Sequence, residues 1–181
     1  MTVQVSLPGF NSPAAGFEQP FEMLRACHER VHRSLRLLQR LIEHIDAHGH
    51  DASSRSAASD VLRYFDLAAP LHHEDEEKHV FPAVMEGGGS DLRAAVSQLD
   101  AEHDSLEALW QKLRPELLAW RDDGQTPAVS SAQRHWAEDF QRAYEAHIRL
   151  EEELVYPAAE AILAAGDLAD MGAEMAARRR Q

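Results

Sequence analysis

His72-His73-Glu74-Asp75-Glu76-Glu77-Lys78-His79-Val80-Phe81-Pro82 is written a second time, 75 residues later, as His147-Ile148-Arg149-Leu150-Glu151-Glu152-Glu153-Leu154-Val155-Tyr156-Pro157. His72 maps onto His147, Glu76 onto Glu151, Glu77 onto Glu152, Val80 onto Val155, Phe81 onto Tyr156 and Pro82 onto Pro157. The same offset holds upstream, where His28 falls on His103 and Leu24 on Leu99. A histidine and a carboxylate four residues apart stand on one helical face, so each copy offers a nitrogen and an oxygen ligand pointing the same way. Two such pairs with two further histidines, at one level of a helical bundle, make a dinuclear metal site.

Outward from the repeat, the apolar period is helical. Phe21, Leu24, Val31, Leu35, Leu38 and Ile42 predict a helix from about 20 to 48, with Pro20 at its first position. A second helix is predicted from about 55 to 85. Pro70 and Pro82 lie within it, which predicts a kink at the first or an early end at the second, and Gly87-Gly88-Gly89 stops it. A third, capped by Ser90 or Asp91, runs to about 121 with a bend at Pro115, and a fourth runs from about 129 to Gly166. Asp167 caps a short fifth helix over about 167–179.

Four long helices on short connectors run up-down-up-down, so the expected fold is all-α, a four-helix bundle over 20–166. An N-terminal arm, 1–19, and a short C-terminal helix with a basic tail, 167–181, flank it. Arg178-Arg179-Arg180 is expected to be a solvated helix end.

The 181 residues, 44% of them hydrophobic, suit a single domain with a sizeable core. A formal charge of −13 argues against a nucleic-acid groove or an anionic membrane surface. The single cysteine, Cys27, excludes an intramolecular disulfide and fits a reducing compartment. The first residues carry no signal-peptide pattern and no apolar run is long enough to span a bilayer, so the expected location is cytoplasmic.

Antiparallel helices must bring their ligands to one height. His28 lies roughly 12 Å into the first helix, and the midpoint of His72 and Glu76 lies roughly 12 Å before Pro82. Two turns from the histidines, Leu35, Phe65, Trp110 and Phe140 form an apolar floor, with Phe21, Val96, Leu154 and His79 on the other side. The histidines therefore face the core, where an unpartnered polar group costs roughly 1–3 kcal/mol and an ionised Glu76 or Glu151 more, unless a cation lies between them. Imidazole and carboxylate donors accept Fe, Mn or Zn alike.

His, three residues, Glu-Glu and then an aromatic-Pro pair, in both copies, each preceded by an isolated helical histidine (His28, His103), resembles the hemerythrin-like HHE cation-binding family over about residues 20–165. The resemblance implies an oxygen-bridged non-haem di-iron centre, for which the donor types also admit Zn or Mn as substitutes. It makes His28, His72, His103 and His147 terminal ligands and Glu76 and Glu151 the bridging carboxylates. The oxygen-carrying members have a second histidine four residues after the one in the third helix, where this chain has Glu107. The chain is more similar to the four-histidine, two-glutamate relatives linked to iron-centre repair and nitric oxide stress, although it lacks the cysteine-containing N-terminal segment that many of those carry.

His32, four residues after His28, and Glu107 are expected to face inward one turn from the ligands, as outer hydrogen-bond partners or extra ligands. Ala68 and Ala143, four residues before His72 and His147, are expected to leave a void bordered by Val31, Leu106 and Tyr144, of a size for a diatomic molecule. Tyr144 either donates a hydrogen bond to that molecule or is a packed core residue. His73, Glu77 and Glu152 point about 100° away from the ligand face, towards solvent or an outer role.

The expected function is a di-iron protein that binds O2 or NO, or handles iron under oxidative or nitrosative stress, with a separate signalling or iron-acceptor protein as partner. The alternatives are an iron-donating repair protein, a redox enzyme acting on NO or peroxide, and a structural bundle with a vestigial site. A ferritin-like oxidase would use Glu-x-x-His, which is not the spacing here.

Overall fold

A computed structural model of the chain describes residues 16–122 and 128–180. Of the expected arm at 1–19, residues 1–15 lie outside the described residues. Helix α1 (Pro20–His48) starts on its proline and ends at Gly49, whose φ of 74° is in the left-handed region that glycine tolerates.

Helices α2 (Ala52–Arg63), α3 (Ala69–Asp75) and α4 (Phe81–Gly87) are joined end to end by π-helical turns at Tyr64–Ala68 and Glu76–Val80. The early end expected at Pro82 therefore does not occur, and the run stops at the glycines. Helix α5 (Ser90–Asp122) passes through Pro115. Helix α6 (Ser131–Leu150) is capped by reciprocal hydrogen bonds of Ser130 and Gln133, and continues through a third π turn, Glu151–Val155, into α7 (Tyr156–Ile162). Leu163 turns extended, so the fourth long helix ends short of Gly166. Helix α8 (Ala165–Arg178) begins earlier than expected, and Asp167 caps it from within the first turn by accepting the Ala164 N–H at 3.0 Å.

All three π turns have one cause. The N–H groups of Ala69, Phe81 and Tyr156 reach back five residues, to the carbonyls of Tyr64, Glu76 and Glu151. The next residue each time is a proline: Pro70, Pro82 or Pro157. Proline brings no N–H and its ring collides with the carbonyl four residues back, and the widened turn relieves both problems without breaking the helix.

Helix α1 packs on α2 and α6, and α5 packs on the same two, closing the four-helix ring. Two apolar clusters occupy its interior, and the ligand layer lies between them. One is built around Leu35, Phe65, Trp110 and Phe140, as expected for the floor; the Phe65 ring lies 5.1 Å from Trp110 and 4.9 Å from Phe140. The other gathers Phe21, Leu24, Val96, Val80 and Val155. Leu154 and His79, expected here, are displaced: Val155 and Val80 are buried while Leu154 is 41% exposed. Each π turn adds a residue, so the inward position falls eight residues after the histidine instead of seven.

The basic tail is a second correction. Arg178, the last residue of α8, and Arg179 just after it each donate from Nη2 to the carboxylate of fully buried Asp75, both at 2.6 Å. Only Arg180 of the three is an exposed helix end. Among the described residues no helix is long and apolar enough to cross a membrane.

Candidate metal centre

The bundle brings the six expected ligands into one buried layer. His28 comes from α1, His72 from α3, His103 from α5 and His147 from α6, while Glu76 and Glu151 each open a π turn. Both glutamates have no exposed surface, and the four histidines are 6% exposed or less.

His28, His72, Glu76 and Glu151 each offer one ligand atom, all within 4.8 Å of one another, and so do Glu76, His103, His147 and Glu151. The two sets share both carboxylates. Glu76 turns Oε1 toward His72 Nε2 (3.5 Å) and His28 Nε2 (4.0 Å), and Oε2 toward His103 Nε2 (3.5 Å). Glu151 turns Oε1 toward His147 Nε2 (3.0 Å) and Oε2 toward His28 Nε2 (3.1 Å). Each carboxylate thus faces both halves, as a bridge between two cations must.

Despite these approaches, both oxygens of Glu151, Oε2 of Glu76, and Nε2 of His103 and His147 complete no hydrogen bond. Such a set of buried, unpaired acceptors is costly by itself. Two cations among them would satisfy it, so the donor set fits the metals that its chemistry implies.

The outer nitrogens are held separately. The Nδ1–H of His28 donates to Glu152 at 2.7 Å, that of His103 to Glu77 at 2.7 Å, and that of His147 to Glu102 at 2.9 Å. A carboxylate on Nδ1 orients the ring and keeps that nitrogen protonated, so that loss of a proton, as on metal binding, bares the Nε2 lone pair toward the interior. Glu77 and Glu152 therefore take the outer role left open for them. Glu102 escaped the pattern because it precedes His103 and serves a histidine on another helix.

Tyr156 was also missed. Its hydroxyl donates a short hydrogen bond to Glu76 and lies 3.2 Å from His28 Nε2, with the two rings stacked at 5.4 Å. The available signal was the mismatch with Phe81 in the repeat.

The protein field around the layer is uneven. Burial would lower the His28 pKa, but the Glu151 and Glu152 carboxylates outweigh it and hold it at about 9. His147 stands at about 9 for the same kind of reason, with Glu151 its strongest partner. Burial, then the Glu151 charge, pushes Glu76 up to about 7. Burial acts the same way on Glu151, but the His147 and His28 imidazolium groups prevail and hold it well below the usual carboxylate range. His72, desolvated and beside His28, falls well below the usual imidazole range.

Three expectations about the surroundings need correcting. Glu107 is exposed because Leu106 takes the inward place on α5, whereas half-buried His32 acts on Glu152, in keeping with an outer role. Ala68 and Ala143 are half-buried and do not line the cavity beside the histidines. That cavity, about 230 Å³, is lined by Phe65, Ala69, His73, His103, Leu106 and Tyr144, with Glu74, Glu77, Asp104 and Glu107 toward its mouth. The π turn before Pro70 moves Ala69 into the place assigned to Ala68, and on α6 buried Tyr144 takes the inward place assigned to Ala143. Val31 is core, not lining.

Comparison with known proteins agrees with this geometry. A family model described as Hemerythrin HHE cation binding domain matches residues 19–159. A protein of Haemophilus influenzae, described only as uncharacterized, is 33% identical over 166 residues, covering 92% of this chain and 93% of its own length.

Proposed function

This chain belongs to the hemerythrin HHE cation-binding family, and from that premise we propose that it holds two iron ions and binds a small diatomic ligand, O2 or NO, under oxidative or nitrosative stress. The observation that carries the proposal is the pair of donor sets sharing Glu76 and Glu151. Iron bound there supplies the redox and ligand-binding chemistry. The chain's own residues hold it: four Nε2 atoms and two carboxylates face inward, three outer carboxylates fix the imidazole tautomers, and the apolar floor excludes water. The Tyr156 hydroxyl gives its single proton to Glu76 and so orients that carboxylate beside His28.

A second reading, an iron-donating protein acting on a separate acceptor, is favoured by the four carboxylates around the cavity mouth, since an acidic rim concentrates cations. The two readings separate experimentally. Elemental analysis of protein from iron-replete cells should give about two Fe per chain, within the coordination logic of imidazole and carboxylate donors. The reduced protein should then change its optical spectrum on exposure to NO or O2 and keep its iron. Release of iron to an apo-acceptor without any response to either gas would favour the second reading. One zinc per chain, unchanged in His28→Ala, would end both.

A further inference from the structure

Two of the four large apolar side chains exposed among the described residues, Met85 (44%) and Ile162 (38%), stand at the ends of α4 and α7. Ile162 lies across Gly87, where a Cβ would sit 2.9 Å from its Cγ2, so the two helix ends meet closely and leave a groove between themselves and α8. The groove encloses about 620 Å³, on a floor of Pro82, Ala83, Ile162 and Met171. An apolar floor left open inside a polar rim is the usual form of an interaction site.

The rim has one sign. Glu86, Asp167, Asp170 and Glu174 stand around the floor, with Lys78 and His79 as its basic groups. Lys78 is taken up by Glu74, Nζ to Oε1 at 2.5 Å, and burial lowers the His79 pKa and leaves that ring uncharged at neutral pH. Glu174 already has Arg178 at 2.7 Å. Asp167 accepts the Ala164 N–H, and neither it nor Glu86 nor Asp170 enters an ion pair among the described residues. The carboxyl ends of α4 and α7 add their partial negative charge.

We propose that this groove docks a cationic segment of a partner protein, which seats one aliphatic side chain over Pro82 and Ile162 and sets lysines or arginines against Glu86, Asp167 and Asp170. Charge complementarity selects that occupant. A second copy of this chain carries the same formal charge of −13, and its Arg178 and Arg179 are bound to its own Asp75. Residues 1–15 contain no lysine or arginine. Nucleic acid and anionic membrane are repelled by the rim. Lys78 and His79 belong to the π turn that Glu76 opens, so the docked segment lies against the turn that carries a candidate metal ligand. Docking there requires no particular occupant of the metal layer.

Fluorescence anisotropy of the full chain with a labelled helical peptide, leucine on one face and lysine on the rest, tests this at physiological salt. Wild type should bind it saturably, one peptide per chain. Ile162→Asp, and the pair Glu86→Lys with Asp170→Lys, should each weaken binding about tenfold or more, while Glu138→Lys with Glu145→Lys, the same change of charge at exposed places on α6, should leave it within about twofold. Glu86 and Asp170 are exposed on their helices, so that pair decides the matter even where Ile162→Asp lowers stability. An equal loss in the α6 pair would mean attraction to the overall charge and would overturn the groove, as would the absence of saturable binding. Tighter peptide binding on removal of residues 1–15, or a dimer that Ile162→Asp dissolves, would overturn the partner in favour of this chain's own segment or a second copy.

Discussion

The two halves of the bundle agree at each of the six candidate ligands and at Glu77 and Glu152, and among the places where they part are three that border the layer. Tyr156 stands where the first half has Phe81, Glu102 where it has Cys27, and Ile148 where it has His73. The agreements form a closed exchange: Glu152 of the second half holds His28 of the first, and Glu77 of the first holds His103 of the second. The departures break that symmetry. His147 has a carboxylate on its outer nitrogen, while Nδ1 of His72 is buried without a partner. A repeat thus supplies two similar positions, and a few unmatched side chains give them different surroundings.

The most severe way to break the comparison is to remove a residue that both halves share. Glu151→Ala takes an oxygen from both donor sets and leaves His28 and His147 facing each other, so both metals should be lost, not one. Elemental analysis after purification measures this, and retention of one full metal per chain would mean that the halves bind independently.

A smaller change sharpens the contrast between His147 and His72. Glu102→Ala strips the outer carboxylate from His147 and makes it like its counterpart. Loss of such a partner typically weakens metal binding by about 10–100-fold, and isothermal titration with cobalt or zinc would register it. An unchanged affinity would show that the missing carboxylate at His72 has no bearing on how the two positions differ.

The mildest test uses pH alone. In the metal-free protein His28 and His147 stand at about 9, above the ordinary 6.5, so the stability they contribute is complete below 6.5 and is lost as pH rises through 9. Glu76, raised to about 7, acts in the same direction over its lower window. His72 and His73, both lowered, oppose this only below 6.5. The metal-free Tm should therefore fall between about pH 6.5 and 9, at roughly 2–4 °C for each kcal/mol in a chain of this size. The loaded protein should not follow, because metal replaces the protons. A metal-free Tm that held or rose across this window would contradict the charge state assigned to the layer.

The six candidate ligands could be picked out without a structure because a 75-residue repeat and a four-residue spacing survive any packing detail. Helix α1 was equally plain, bracketed by Pro20 and Gly49. What escaped lay beyond the reach of a 3.6-residue period. Three π turns each shift the register by one, which moved the inward position from Leu154 to Val155, from His79 to Val80 and from Ala68 to Ala69. Pairings across the bundle, such as Glu102 with His147 or Asp75 with two arginines about a hundred residues away, leave no local spacing to detect.

The grip of Arg178 and Arg179 on Asp75 also decides how the molecule comes apart. Asp75 precedes Glu76 and is fully buried, so detaching α8 would strand a carboxylate in the interior, at a cost of about 3–5 kcal/mol for a broken buried pair. Met171 and Met175, buried in the cluster beside the ligand layer, would be exposed at the same time. Helix α8 is accordingly no appendage that frays on its own. It should open with the bundle as one cooperative unit, and a metal ion bound at Glu76 would stabilise both against that opening.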